Sequence, residues 1–172
     1  MRVCFRIGGK LWDSTWVLVE YLREQAGSPH CLLAGRKVLE LGAGTGVLGM
    51  AVGRFVVGRP LSTRITDLPE VIPLLDLNLQ LNGFRPGGPV TAEALAWGAE
   101  PAGHVAPVGP LTIIMSDVVY EPTLFPLLIA TLQQHLPPTS SGGAAVMGYR
   151  RRNPDEWKVR RPTAQQLAES AR

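Results

Sequence analysis

Glycines recur at positions 42, 44, 46 and 49, directly after the apolar run 38–41 whose third residue is Glu40. The order reads as a strand, a sharp turn and a helix. Glycine lets the chain turn tightly and lets a ligand approach the bare backbone. The following helix aims its free N–H groups over that turn. The chemistry is that of a nucleotide cofactor. A dinucleotide site needs a glycine-rich turn after the first strand and an acid after the second, and Asp67 lies 25 residues beyond Gly42. Glycine spacing alone therefore admits a nicotinamide cofactor. Glu40 argues the other way, because a carboxylate is repelled beside two phosphates and attracted beside a sulfonium or ammonium. The E-x-G-x-G-x-G string points to S-adenosylmethionine, with a nicotinamide dinucleotide as the alternative.

The elements that must hold these residues follow from periodicity and punctuation. Asp13 or Ser14 is expected to cap a helix running to Gln25, with Val17, Leu18, Tyr21 and Leu22 at helical spacing and Gly27 beyond its end. Residues 36–41 read as a first strand, 46–57 as a helix and 63–66 as a second strand ending at Asp67. Pro69 and Pro73 suit the opening of a helix that stops at Gly83. Residues 90–95, 111–116 and 144–149 read as further strands, with 101–110 irregular. Pro122 opens a helix carrying Leu124, Leu127, Leu128 and Leu132, which Pro137 and Pro138 close before a flexible link at 139–143. Strands alternating with helices predict an α/β fold, a parallel sheet covered by helices on both faces.

Composition sets the outer bounds. The chain has 172 residues, 45% of them hydrophobic, which suits one domain with a real core. No apolar run spans a bilayer and no secretory leader is legible, so no membrane partner is expected. Cys4 and Cys31 stand apart without metal-ligand spacing, as for reduced thiols in a cytoplasmic or nuclear protein, and no metal site is expected. From Arg150 onward seven basic residues face three acids, whereas the remainder sums to −1 of the net +3. The globular part, 1–149, is thus nearly neutral and does not argue for nucleic acid. Residues 150–172 read as a basic, poorly ordered tail. His30, His104 and His135 fall in loops or helix ends and read as incidental surface residues.

With these residues in place the chain resembles methyltransferase family 16, the seven-β-strand protein-lysine methyltransferases of the methyltransferase-like 21 type. The matching pieces are Leu11-Trp12-Asp13-Ser14, residues 38–49, Thr66-Asp67-Leu68-Pro69, Leu95-Ala96-Trp97-Gly98 and Ser116-Asp117-Val118-Val119-Tyr120. The resemblance implies a doubly wound, Rossmann-like class I S-adenosylmethionine-dependent fold whose last two strands are missing here, since only five strands are read. It implies a monomeric enzyme acting on a protein lysine, with a chaperone, an AAA ATPase or a translation factor as substrate. Gly42, Ala43 and Gly44 would form the turn under the methionine part of the cofactor, and Asp67 would accept the ribose hydroxyls. Trp97 would lie against the adenine, Trp12 would close the site, and Ser116 would border it. Asp117 and Tyr120 would meet the target lysine.

Each residue also has a structural reading. Trp12 and Trp16 suit core anchors, Asp67 a helix cap, Trp97 packing beneath a turn, and 117–120 a strand end with a buried tyrosine. Asn78 and Asn82 read as solvated or capping residues. Two other functions stay open: a catalytically silent module that binds cofactor or partner, and a small-molecule methyltransferase. What joins the candidates is their placement at the C-terminal ends of the expected parallel strands, where open α/β sheets bind ligands.

Overall fold

The computed structural model describes residues 9–28, 31–55, 60–99, 109–136 and 142–150. Its centre is β1 (Lys37–Leu41), flanked by β2 (Ser62–Asp67) and β4 (Leu111–Ser116). With β3 (Val90–Ala94) and β5 (Ala144–Gly148) outside them, the five strands are all parallel in the order β3-β2-β1-β4-β5. The buried run of β4 has the continuous apolar character of a parallel strand covered on both faces. Among the described residues nothing pairs with the outer edge of β5, where Met147 is exposed.

Strand parity sorts the helices. Val38 and Ile114 turn to one face, where Leu18 and Leu22 of α1 (Asp13–Gln25) and Leu48 and Val52 of α2 (Val47–Phe55) pack against them. On the same face Ile65 and Val90 meet Met50 of α2 and Leu75 and Leu79 of α3 (Ile72–Leu81). Leu39, Leu41, Ile113 and Met115 turn to the opposite face, against Leu128 of α4 (Phe125–His135).

Several local expectations are corrected. Neither Asp13 nor Ser14 caps α1. Trp12 holds the cap position and its side chain makes no cap bond, and the Ser14 hydroxyl lies 3.0 Å from Ser116 Oγ instead. Trp16 is no core anchor; it is exposed on the outer side of α1. Pro69 and Pro122 each open a 3-10 turn, Pro69–Val71 and Pro122–Leu124, and the α-helix begins only after it. Prolines at the helix entrances satisfy the first turn without needing an N–H. His135 is buried rather than superficial, its Nδ1 2.9 Å from the Thr131 carbonyl. Cys31 carries a free thiol. Cys4, His30, His104, the segment 101–108, Pro137, Pro138, residues 139–141 and the tail at 151–172 lie outside the described residues.

The tightest joint in the helical layer is at Gly49. A Cβ there would sit 2.1 Å from Ile65 Cγ2 and 2.4 Å from Glu40 Oε2, so α2 reaches the sheet only because the side chain is missing. Gly49→Ala should destabilise the protein by about 2 kcal/mol or more, the usual cost of overpacking a filled core. Urea unfolding measures it, and an unchanged midpoint would refute the close approach.

Candidate functional site

The ends of the strands converge on one cavity. It encloses about 520 Å³, within the size of small-molecule sites. Gly42 and Gly44 come from the turn after β1, Asp67 and Leu68 from the end of β2, Leu95, Ala96 and Trp97 from beyond β3, and Ser116, Asp117, Val118 and Tyr120 from the end of β4. Lys10 and Trp12 close it from the entrance to α1.

The turn after β1 is built from backbone that side chains resist. Gly42, Gly44 and Gly46 have φ of 66°, 55° and 78°. A Cβ on Gly42 would meet Val118 Cγ1 at 3.0 Å and Trp97 Cζ2 at 3.1 Å. The bare backbone therefore sits under a valine and an indole that belong to two other strand ends. Asp67 fastens the turn: its Oδ2 accepts from Gly44 N–H at 2.7 Å, and its Oδ1 accepts from Leu68 N–H at 2.7 Å. Burial raises the Asp67 pKa; the two N–H donors oppose that rise and Glu70 adds to it. Asp67 is not the cap of the turn that Pro69 opens, where Leu68 holds the cap position without a side-chain cap bond; its carboxylate lines the cavity.

Of the sequence-derived site residues, Trp12, Gly42, Gly44, Asp67, Trp97, Ser116, Asp117 and Tyr120 are brought together around this space. Ala43 is not. Its N–H bonds the Thr66 carbonyl at 3.0 Å, and its methyl packs into the α2–α3 core, because turn residues alternate direction as the chain reverses. Ser116 is held by two hydroxyls, Ser14 Oγ and Thr15 Oγ1, each at 3.0 Å, which tie α1 to the end of β4. Asp117 is buried and takes a left-handed φ of 59°, with its N–H donating to the Gly148 carbonyl at 2.8 Å. Tyr120 is half-exposed, and burial, then the charges of Asp67 and Glu121, raise its pKa.

Glu40 overturns the argument built on it. Strand parity turns its side chain to the helical face with Val38, away from the cavity, and Oε2 accepts from Gly49 N–H at 2.9 Å. Burial pushes its pKa up to about 8 against that N–H, with Asp67 adding to the rise. A carboxyl so placed is pushed toward its neutral form and satisfies the start of α2 rather than pairing with a cationic ligand. Asn78 is likewise misread as solvated. Its Nδ2 donates to the Thr45 carbonyl at 2.9 Å, bracing the glycine turn from α3. The Gly98 of the Trp-Gly pair has a packing role: its N–H bonds Thr131 Oγ1 at 2.8 Å, and a Cβ would strike Leu127 at 2.6 Å.

Residues 3–160 match the family described as lysine methyltransferase. The chain belongs to that family. The lysine methyltransferase match continues past residue 149 into the segment read as a tail. EEF1A lysine methyltransferase 3 of Mus musculus is 34% identical over 127 residues, 74% of this chain and 50% of that protein. Protein-lysine N-methyltransferase EFM6 of Saccharomyces cerevisiae is 32% identical over 142 residues, 73% of this chain and 56% of its own length. The chain therefore spans about half the length of these relatives. The solved structure of Arabidopsis thaliana protein arginine methyltransferase 10 has the same fold, with a TM-score of 0.51 at 14% identity, covering 78% of this chain and 38% of that one. The fold is thus the Rossmann-like class I methyltransferase fold. Among the described residues no group of side chains could hold a metal ion, and no helix is long and apolar enough to cross a membrane.

The buried carboxyls predict a pH dependence. Glu40 and Asp67 both bind a proton more tightly folded than unfolded, so their contribution to stability is full at acid pH and is lost as pH rises through the folded value. For Glu40 that loss spans the range from the ordinary glutamate value of 4.5 to about 8. Melting temperature should therefore fall between mildly acidic and mildly basic pH, and Glu40→Gln, which keeps an acceptor for Gly49 N–H, should flatten the fall. A wild-type profile that rises across this range would sink the assignment.

Proposed function

We propose that the cavity binds S-adenosylmethionine and that the chain transfers its methyl group to a lysine of a protein substrate. The observation that carries this reading is the convergence of Asp67, Trp97, Ser116, Asp117 and Tyr120 on the bare glycine turn at the strand ends of a lysine methyltransferase family member. The residues present fit the cofactor. Gly42 brings bare backbone to the cavity lining beneath Val118 and Trp97, the Asp67 carboxylate keeps lone pairs beyond its two N–H donors for ribose hydroxyls, and the Trp97 and Trp12 indoles offer flat apolar walls. Bound there, S-adenosylmethionine supplies an electrophilic methyl group on a sulfonium.

The chain's own part is alignment. In this reading Asp117 receives the incoming lysine ammonium, whose proton passes to solvent before the amine lone pair attacks the methyl carbon and the sulfonium leaves as the neutral thioether. Tyr120, half-exposed at the rim, narrows the approach so that the amine arrives along one line. Holding two reactants in line is worth several powers of ten, and exclusion of water favours the neutral amine. The substrate is of the translation-factor class, as the naming of the mouse relative suggests.

Calorimetry with S-adenosylmethionine and S-adenosylhomocysteine tests the first half. Wild type should bind, and Asp67→Ala should lose most of that binding. For the second half, Asp117→Asn keeps a residue tolerant of left-handed backbone. It should still bind cofactor yet lose at least about a hundredfold in protein labelling. Binding without any labelled protein, even from the wild type, would favour the silent module over the enzyme.

A further inference from the structure

Lys10 is the one cation among the described residues that line the cavity; Asp67, Glu70 and Asp117 are its anions. Its Nζ lies 4.6 Å from the centroid of the Trp12 ring, so the ammonium is directed along the indole at the α1 end of the site. Among the described residues Lys10 takes no part in an ion pair. The nearest acid in sequence, Asp13, pairs with Arg150 and is not part of the lining. The site thus holds a positioned positive charge that pairs with no acid among the described residues, in a cavity whose other charged side chains are acidic.

S-adenosylmethionine carries two positive groups, the sulfonium and the ammonium, and one negative group, the carboxylate. Three acids suit the cations and repel the carboxylate wherever it approaches them. Among the charged side chains of the lining, only Lys10 attracts it. We infer that Lys10 anchors the carboxylate of the cofactor's amino-acid part and so fixes which way that part points in the cavity. This rests on the cofactor reading above and adds a binding residue that none of the family motifs contains. The contact is a charge-assisted pair at an exposed rim, directional but open to screening by salt.

Decarboxylated S-adenosylmethionine isolates the group, since it keeps the sulfonium and the ammonium and lacks only the carboxylate. Calorimetry on the full chain should show wild type preferring S-adenosylmethionine over the decarboxylated ligand by roughly tenfold, with the preference shrinking as sodium chloride rises. Lys10→Gln should erase the preference by weakening only the carboxylate-bearing ligand, and Lys10→Arg should keep it. A preference that survives Lys10→Gln, or an equal loss for both ligands, overturns the inference and leaves the cofactor reading standing. Wild type that binds neither ligand overturns both.

Discussion

The carboxylate of Asp67 holds two strand ends in register. One oxygen takes the Gly44 N–H from the turn after β1, and the other takes the Leu68 N–H just beyond β2. These bonds fix where the glycine turn stands relative to the end of β2, and Trp97 and Val118 rest on that turn at Gly42. The strand-end residues thus form a cavity instead of separate loops. The same carboxylate is partly buried and its pKa is raised, so the group that assembles the wall is also electrostatically costly. A charge kept at such a place is a common mark of a functional site.

A second layer braces this arrangement from behind. Glu40 and Gly49 close the start of α2 onto β1, and Thr66 Oγ1 donates to the Glu40 carbonyl at 2.6 Å, joining β2 to the same point. Asn78 reaches the Thr45 carbonyl from α3, and the Ser14–Thr15–Ser116 hydroxyls bind α1 to the end of β4. Each of the three helices on this face therefore makes at least one polar contact with a strand or with the glycine turn, while its apolar stripe packs below. Polar groups so paired cost little to bury and specify register, which apolar packing alone does poorly.

The alternation of strands and helices was legible because buried parallel strands are short apolar runs, and Gly and Pro punctuate the joints between them. Most of the cavity was legible too, since Trp12, Asp67, Trp97, Asp117 and Tyr120 each sit beside a strand or helix end that periodicity locates. What was hidden depends on direction and on partners distant in sequence. The alternation of Val38 and Glu40 against Leu39 and Leu41 was available to show that Glu40 faces α2, yet its donor, Gly49, is nine residues away. Asn78 reads as an exposed polar residue until α3 is laid against the turn. Ser14 reads as a cap until Ser116 supplies a better partner for its hydroxyl. The match of the glycine string to a cofactor was right in class, while the electrostatic reason drawn from Glu40 was not.

Asp117 adopts backbone geometry that glycine takes without penalty and that an ordinary side chain pays about 1 kcal/mol or more to enter. The strain is local, pinned by one N–H to the Gly148 carbonyl of the edge strand. A library sorted for heat resistance alone would therefore drift toward glycine at this position and discard the acid in doing so. Under the proposed role of Asp117, one sorted for methyl transfer would retain the acid and take its compensating substitutions elsewhere. The two selections would then part at a single residue, and position 117 would be where robustness and the proposed chemistry trade against each other.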